Sequence, residues 1–326
     1  MPQNRPSETA HTSLSRSTFV TGVAALSSVA VPWRAGAQGA KVRMSGFHSD
    51  LYQEPFLGQD SGIFTKAGFE VEMVSVTNAA AVVTAIAAGA VDIGVGDLVS
   101  GAQAINAGLP VSVIAGSCLY RAADKKLLAG AFVAKDSPLR QPRDLVGKTI
   151  GLPILSGFPL VLMQAWLTRN GVSPQNVKLF EIPAATTVAA LARGTIDCAY
   201  IGEPFVTIVG DQIRSLGDVM ESIGSDEYIM NAWFASNSWI AADRDRARRM
   251  VAAIYDTARW ANAHQDDTLA ILVRGGKLDP DRVKGMARAR FATTVSPALA
   301  RPLLNAAVQF KAIDHPVDVS ALISRL

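Results

Sequence analysis

Two stretches of this chain repeat one another. Ala79 to Asp92 (AAAVVTAIAAGAVD) and Ala184 to Asp197 (AATTVAALARGTID) share seven of fourteen aligned positions. Alanine matches between Ala-rich helices carry little weight. Gly89 with Gly194 and Asp92 with Asp197 carry more, because they keep the same offset behind a helix and follow a Val or Ile. Each copy reads as an Ala-rich helix, a glycine stop and a short apolar strand opened by Asp. The echo extends backwards. Lys41-Val-Arg-Met-Ser-Gly-Phe and Lys148-Thr-Ile-Gly-Leu-Pro-Ile-Leu-Ser-Gly-Phe are both a strand running into a small-residue turn. Each is followed by a helix ending near a glycine (Gly68, Gly171) and a strand (Val71 to Val76, Val177 to Ile182). Each half therefore predicts β-α-β-α-β, and two such halves predict two similar lobes with a cleft between them.

The remaining elements follow from local signals. A helix over Leu51 to Lys66 takes Ser49 or Asp50 as its N-cap, and Val91 to Val95 is the third strand. Leu98 to Ala107 is a helix closed by Gly108, and Val111 to Ala115 is another strand. Leu127 to Ala134 and Tyr228 to Ala235 read as long strands that carry the chain into the second lobe and back. The tail is helical. Asp243 caps an Arg/Ala-rich helix, Leu278-Asp-Pro-Asp starts another, and Ser296-Pro297 starts the last long one. This tail has no echo in the second lobe and is expected to pack on the first. The resulting division is an export leader (1–37), a first lobe (38–128), a second lobe (129–232) and a return to the first lobe with the C-terminal helices (233–326).

The formal net charge is +3, of which +2 lies in the first 37 residues (Arg5, Arg16 and Arg34 against Glu8). A body this close to neutral, without a basic stripe, argues against a nucleic-acid partner. The leader has a polar stretch ending at Arg16, an apolar run from Phe19 to Val31, a break at Pro32 and an Ala35-Gly36-Ala37 cleavage pattern. That run is short for a membrane span. Ser15-Arg16-Ser17-Thr18-Phe19-Val20 resembles a twin-arginine signal with Ser17 where the second Arg belongs, so both export routes remain open. The cleavage site has no cysteine, and no lipid anchor is expected. Cys118 and Cys198 could pair in an exported protein. A bridge would lock the two lobes, so two free buried thiols are expected instead.

The segments Gly62-Ile-Phe-Thr-Lys-Ala-Gly-Phe-Glu-Val, Ala87-Ala-Gly-Ala-Val-Asp-Ile-Gly, Asp144-Leu-Val-Gly-Lys-Thr-Ile-Gly and Ala190-Leu-Ala-Arg-Gly-Thr-Ile-Asp with Glu203-Pro204 occur in that order over about residues 41 to 240. In this order and spacing the chain resembles the periplasmic solute-binding proteins of ABC importers, in the branch serving sulfonates, taurine, nitrate and thiamine-pyrimidine precursors. The resemblance implies the type II periplasmic-binding-protein fold: two α/β lobes of mainly parallel sheets joined by two crossover strands. It further implies a monomer that closes on a small organic solute like a hinge and delivers it to a permease and ATPase in the inner membrane.

Such a binder needs convergent donors and apolar walls, not a nucleophile. Ligands of open α/β sheets sit at the carboxyl ends of the strands. That rule selects Phe47, His48 and Ser49 after the first strand, Thr77-Asn78 after the second, Asp97 after the third, Ser156, Gly157 and Phe158 in the second lobe, and Glu203 before Pro204. The resemblance points to the same loops and adds Ser117 and Trp233. The helix starts at Ser49 and Ser156-Gly157 would present free N–H groups to an anionic or polar group. Phe47, Phe158 and Trp233 are candidates to sandwich a planar or apolar ligand. His48 is a candidate donor or pH sensor. Asp97 is expected to act mainly as a helix cap, and Glu203 to hold an amine or hydroxyl or to play a structural part. These two acids leave room for an amine-bearing ligand.

Neither G-x-S-x-G nor H-E-x-x-H is present, and His48, His264 and His315 lie far apart without companions at metal-ligand spacing. The expectation is a binding protein without cofactor, metal or catalytic residues. Two alternatives stand beside it. One is an enzyme like the thiamine-pyrimidine synthases, whose Cys-rich signature is missing here. The other is a periplasmic subunit that reports ligand occupancy to a membrane kinase.

Overall fold

The computed structural model describes residues 39–76 and 78–326. The expected leader and Thr77 lie outside the described residues. The chain opens with β1 (Ala40–Gly46), α1 (Glu54–Asp60), α2 (Ile63–Lys66), β2 (Phe69–Ser75), α3 (Ala79–Ala87), β3 (Ile93–Asp97), α4 (Leu98–Asn106) and β4 (Val111–Gly116). It crosses through β5 (Cys118–Arg121) and β6 (Ala129–Ala134) to β7 (Thr149–Leu152), α5 (Gly157–Arg169), β8 (Lys178–Glu181), α6 (Ala184–Ala192), β9 (Cys198–Gly202), α7 (Phe205–Val209) and β10 (Ile213–Asp218). It returns through β11 (Glu227–Ile229) and β12 (Asn231–Ser236), then runs through α8 (Asn237–Ala242), α9 (Arg244–Ala263), α10 (Gln265–Gly276), β13 (Arg290–Phe291), α11 (Pro297–Gln309) and α12 (Val319–Leu322).

The two lobes carry one plan. The first sheet has the order β2-β1-β3-β12-β4 and the second, read from the matching edge, β8-β7-β9-β6-β10. In each, four strands run one way and the fourth in order runs against its neighbours. That reversed strand is the one arriving from the other lobe: β12 in the first sheet, β6 in the second. The crossing segments β5 and β11 pair antiparallel and, with β13, form a small third sheet between the lobes.

The repeated aspartates hold this plan together. Asp92 accepts the Arg43 N–H at 2.8 Å and the Arg43 guanidinium at 2.7 Å, while its own N–H bonds the Arg43 carbonyl at 2.9 Å. Asp197 does the same to Thr149: carboxylate to N–H at 2.9 Å, N–H to carbonyl at 2.8 Å. Each thus fastens the first strand of its lobe to the third. Gly89 and Gly194, at φ of +72° and +69°, end the preceding helices in the left-handed region where a side chain is disfavoured. Asp92→Ala is expected to cost about 2 kcal/mol, and Asp197→Ala less. The Asp197 side chain is 34% exposed against 19% for Asp92, and its cation, Lys148, stands at 3.8 Å. Urea unfolding of the two variants checks the order.

Four local expectations need correction. The helix expected over Leu51 to Lys66 is two helices. Gln53, not Ser49 or Asp50, stands at the N-cap, Pro55 sits in the first turn, and Gly62 at φ +73° separates α1 from α2. Ser49 therefore heads no helix. Asp50 is drawn into a buried pair with Arg288, and residues 50–52 form a turn. The single return strand over Tyr228 to Ala235 is β11 and β12, broken at Met230 because its halves join different sheets. No helix starts at Leu278. The Asp279 carboxylate accepts the Asp281 N–H, and Gly285 at φ +78° turns the chain away. Val283 and Met286 from this stretch pack on Leu272. Finally, the tail packs on the first lobe but also reaches the second: α11 packs against α5, and Arg282 donates to the Ile208 carbonyl at 2.9 Å.

Other helix starts form as their residues dictate. Asn78, Asp97, Asp243 and Ser296 each accept a first-turn N–H of the helix that follows. Gly101 lets α4 lie on β12, since a β-carbon there would stand 2.1 Å from the Phe234 ring. One apolar cluster runs through both lobes, from Val42 and Ile93 through Leu98 and Phe158 to Ile150 and Leu162. A smaller one, with Phe132, Ile182 and Leu191, lies within the second lobe. Among the described residues no helix is long and apolar enough to cross a membrane.

Candidate functional site

The strand ends of the two sheets meet. Asp97, closing β3, accepts the Ser100 N–H of its own helix at 2.8 Å with one oxygen. With the other it accepts the Phe158 N–H at 2.8 Å. Phe158 belongs to the first turn of α5 in the second lobe. The start of α5 is a concentration of unpaired N–H groups and positive dipole. The Ser156 hydroxyl makes no cap there, so the acceptor comes from the other lobe. Gly157 adopts φ +65° and is buried against Asp97. Burial pushes the Asp97 carboxyl up to about 6 against the opposing pull of these N–H donors.

Behind this contact lies a buried polar group centred on Glu54, the first residue of α1. One oxygen, Oε2, accepts from Ser117 Oγ and from Trp233 Nε1, both at 2.6 Å. Burial raises the Glu54 carboxyl to about 8, so it is largely protonated at neutral pH. Asn231, opposite Asp97 in the β3–β12 register, donates to the Leu51 carbonyl at 2.8 Å. Tyr52 is stacked on Phe47 with ring centroids 4.2 Å apart. Tyr200 enters from β9, its phenol raised by burial and by the negative charge of Asp218 and Asp97.

The candidate residues thus separate. Asp97, Gly157 and Phe158 form the contact between lobes. Ser117 and Trp233 are fully buried and serve Glu54. The three candidate rings pack on protein: Phe47 on Tyr52, Trp233 edge-on to Phe64 at 6.3 Å, and Phe158 within the shared core. His48 is exposed, stacked on Phe56 at 3.9 Å and seated over Gly275 of α10. Burial lowers its pKa, against a smaller upward pull from Asp60. The Ser49 N–H bonds the Phe47 carbonyl at 2.8 Å and offers no helix end to an anion, contrary to expectation. Asn78 caps α3 at the exposed start of that helix. Glu203 binds Thr207 N–H and Oγ1 at 3.1 and 2.8 Å and reaches the Ala287 N–H at 3.3 Å. It therefore ties the second lobe to the C-terminal segment.

Glu54, Asn231, Tyr52 and Tyr200 escaped the strand-end rule. Glu54-Pro55 reads as an ordinary acidic first turn, and only its pairing with Trp233, 179 residues away, reveals burial. Cys118 and Cys198 are free and buried in different sheets, and burial raises both thiols, Cys198 to about 12. Neither is a reactive thiolate. Among the described residues no three His, Cys, Asp or Glu side chains gather as a metal site would require.

Residues 54–268 match the family described as NMT1/THI5 like. The taurine-binding periplasmic protein of Escherichia coli K12 is 27% identical over 214 residues, covering 66% of this chain and 60% of that protein, less than two thirds of its length. The alkanesulfonate-binding protein SsuA from Xanthomonas axonopodis pv. citri, solved bound to MOPS, superposes with a TM-score of 0.73 at 16% identity, over 89% of this chain and 99% of that one. The desulfurization enzyme DSZB superposes with a TM-score of 0.63 at 16% identity, over 87% and 96%. At such identities the superpositions establish the fold, which is that of the periplasmic binding proteins.

Proposed function

The chain belongs to the NMT1/THI5-like family, and from that premise we propose that it is the exported solute-binding component of an ABC importer, capturing a small sulfonate-class solute between its lobes. The observation that carries this reading is the Asp97–Phe158 contact. It joins a strand end of one sheet to a helix start of the other, where a solute touching both lobes would stabilise the closed state. The donors offered there are backbone N–H groups at the positive end of α5, which suit an acid oxygen. The paired crossing segments β5 and β11 are the natural hinge. Capture without turnover is favoured over catalysis because both thiols are held protonated by burial. Delivery to a permease and ATPase, action as a monomer and a periplasmic location belong to the same reading.

The test is a thermal-unfolding screen with taurine, alkanesulfonates, nitrate, small carboxylates and pyrimidines. A solute at a hundred times its Kd adds about 2.7 kcal/mol to stability, a clear rise in Tm. Mass spectrometry should then recover that solute unchanged. A flat screen removes the solute-binding reading, and a new product removes the non-catalytic one.

A further inference from the structure

The contact between the lobes also restricts what can bind between them. The Phe158 N–H at the start of the 13-residue α5 is the donor best placed for a ligand's acid oxygen, and the Asp97 carboxylate already holds it. There is no slack beside it: a β-carbon on Gly157 would stand 2.7 Å from Asp97 Oδ2. A simple anion taking this helix end must displace Asp97 and then lie next to its negative charge in a site closed to water. Like charges so placed repel strongly. The groups packed on Asp97 do not neutralise it. Those bonded to it are N–H and O–H groups of α4 and α5, and the titratable side chains that feel its charge are the phenols of Tyr52 and Tyr200. The buried cation of this region, Arg288, is paired with Asp50.

An independent feature asks for the same complement. Asn231 Oδ1, on the strand position facing Asp97, is buried without a hydrogen-bond partner, as is Gln53 Oε1. Both lie at the Leu51–Glu54 segment that β12 holds: Asn231 bonds the Leu51 carbonyl, and Trp233 bonds Glu54, next to Gln53. The first-lobe side of the junction thus has buried acceptors lacking donors, while α5 supplies donors. An ammonium group has three donors and no acceptor.

We propose that Asp97 selects the ligand by charge: the solute is a zwitterion whose acid group replaces the Asp97 carboxylate at the start of α5 and whose ammonium pairs with the displaced Asp97. Simple anions of the same shape are rejected. This rests on the solute-binding reading above and names the substrate class within it.

The test compares taurine with propane-1-sulfonate, in which a methyl replaces the ammonium, by calorimetric titration of the full chain. Asp97→Asn and Asp97→Ser both keep an N-cap for α4, so the fold is retained. Wild type should prefer taurine by at least about tenfold at pH 8. That preference should shrink at pH 5, below the Asp97 pKa of about 6, because a protonated Asp97 no longer repels the simple sulfonate. In Asp97→Asn the preference should vanish, and its change between pH 5 and 7, below the titration of Glu54 near 8, should vanish with it, with propane-1-sulfonate binding tighter than to wild type. An unchanged taurine preference in Asp97→Asn overturns charge selection and leaves solute binding standing. Tighter binding of propane-1-sulfonate than of taurine to wild type at pH 8 overturns it too. Absence of binding by every solute, in wild type and both variants, removes the two readings together.

Discussion

Arg288→Met is expected to cost the folded state about 3–5 kcal/mol, seen as a fall in urea midpoint with little change in slope. The Arg288 and Asp50 side chains are 9% and 1% exposed, and their nearest charged atoms stand 2.7 Å apart. Asp50 also accepts from Gln53 Nε2 and the Ala289 N–H, and Arg288 also donates to the Gln265 carbonyl at 2.7 Å and Thr268 Oγ1 at 3.0 Å. Methionine fills much of the volume but leaves Asp50 buried without its cation. The pair bolts the turns after β1 to the segment before β13, so its loss frees both the approach to α1 and the C-terminal helices. Replacing both partners together (Asp50→Leu with Arg288→Met) should recover much of the loss, because most of the penalty is the unpaired charge. A single-variant loss below about 1 kcal/mol would show that the pair is solvated and refute this account.

The second large effect is a stability that declines as pH rises. A carboxyl whose pKa is higher folded than unfolded binds more protons in the native state between those two values. Raising pH through that window therefore destabilises the fold. For Glu54 the window runs from 4.5 to about 8, with a slope of about 1.4 kcal/mol per pH unit at most. Asp97 and Asp218, both raised to about 6 by burial, act in the same direction over the lower part of that range. His48, lowered by burial, opposes them, but its exposed ring makes that opposition small. The lowered acids Asp124, Asp144, Asp211 and Asp243 act only below about pH 4. Denaturant unfolding should thus give a more stable protein at pH 5 than at pH 8. Glu54→Gln keeps an acceptor for Ser117 and Trp233 and removes the ionisation. Its stability should still fall between pH 5 and about 6, through Asp97 and Asp218, then stay nearly level to pH 8, where it should exceed wild type. A wild-type stability that climbs from pH 5 to 8 would contradict the burial of Glu54.

The lobe plan was legible because its signals are local. Gly89 and Gly194 end helices whatever surrounds them, and Asp92 and Asp197 act on strands of their own repeat. The caps at Asp97, Asp243 and Ser296 are likewise settled within three residues. The misread places share a different cause. Ser49 and Asp50 resemble helix caps, but Asp50 answers to Arg288, 238 residues later. Leu278-Asp-Pro-Asp carries a sound start signal, yet the stretch lacks room for more than a turn before Gly285. Tyr228 to Ala235 is continuous in hydrophobicity, and its break at Met230 reflects two sheets competing for it. Ser117 and Trp233, added as candidates by the resemblance, turn their polar atoms to Glu54, a partner distant in the chain.

The amino-acid sequence by itself determined that there are two related lobes, where each begins its strand–helix units, and which loops stand at the strand ends. Those features depend on backbone conformation and neighbours within a few residues. Tertiary structure alone decided the chemistry of the junction. Asp97 is a cap in the sequence and becomes the acceptor on the opposite lobe's helix only when the sheets face each other. Glu54 becomes a protonated buried acid only when α1 is laid against β12. Ionisation and charge selection are set by solvent exclusion and by partners distant in the chain, and neither is a property that a residue carries alone.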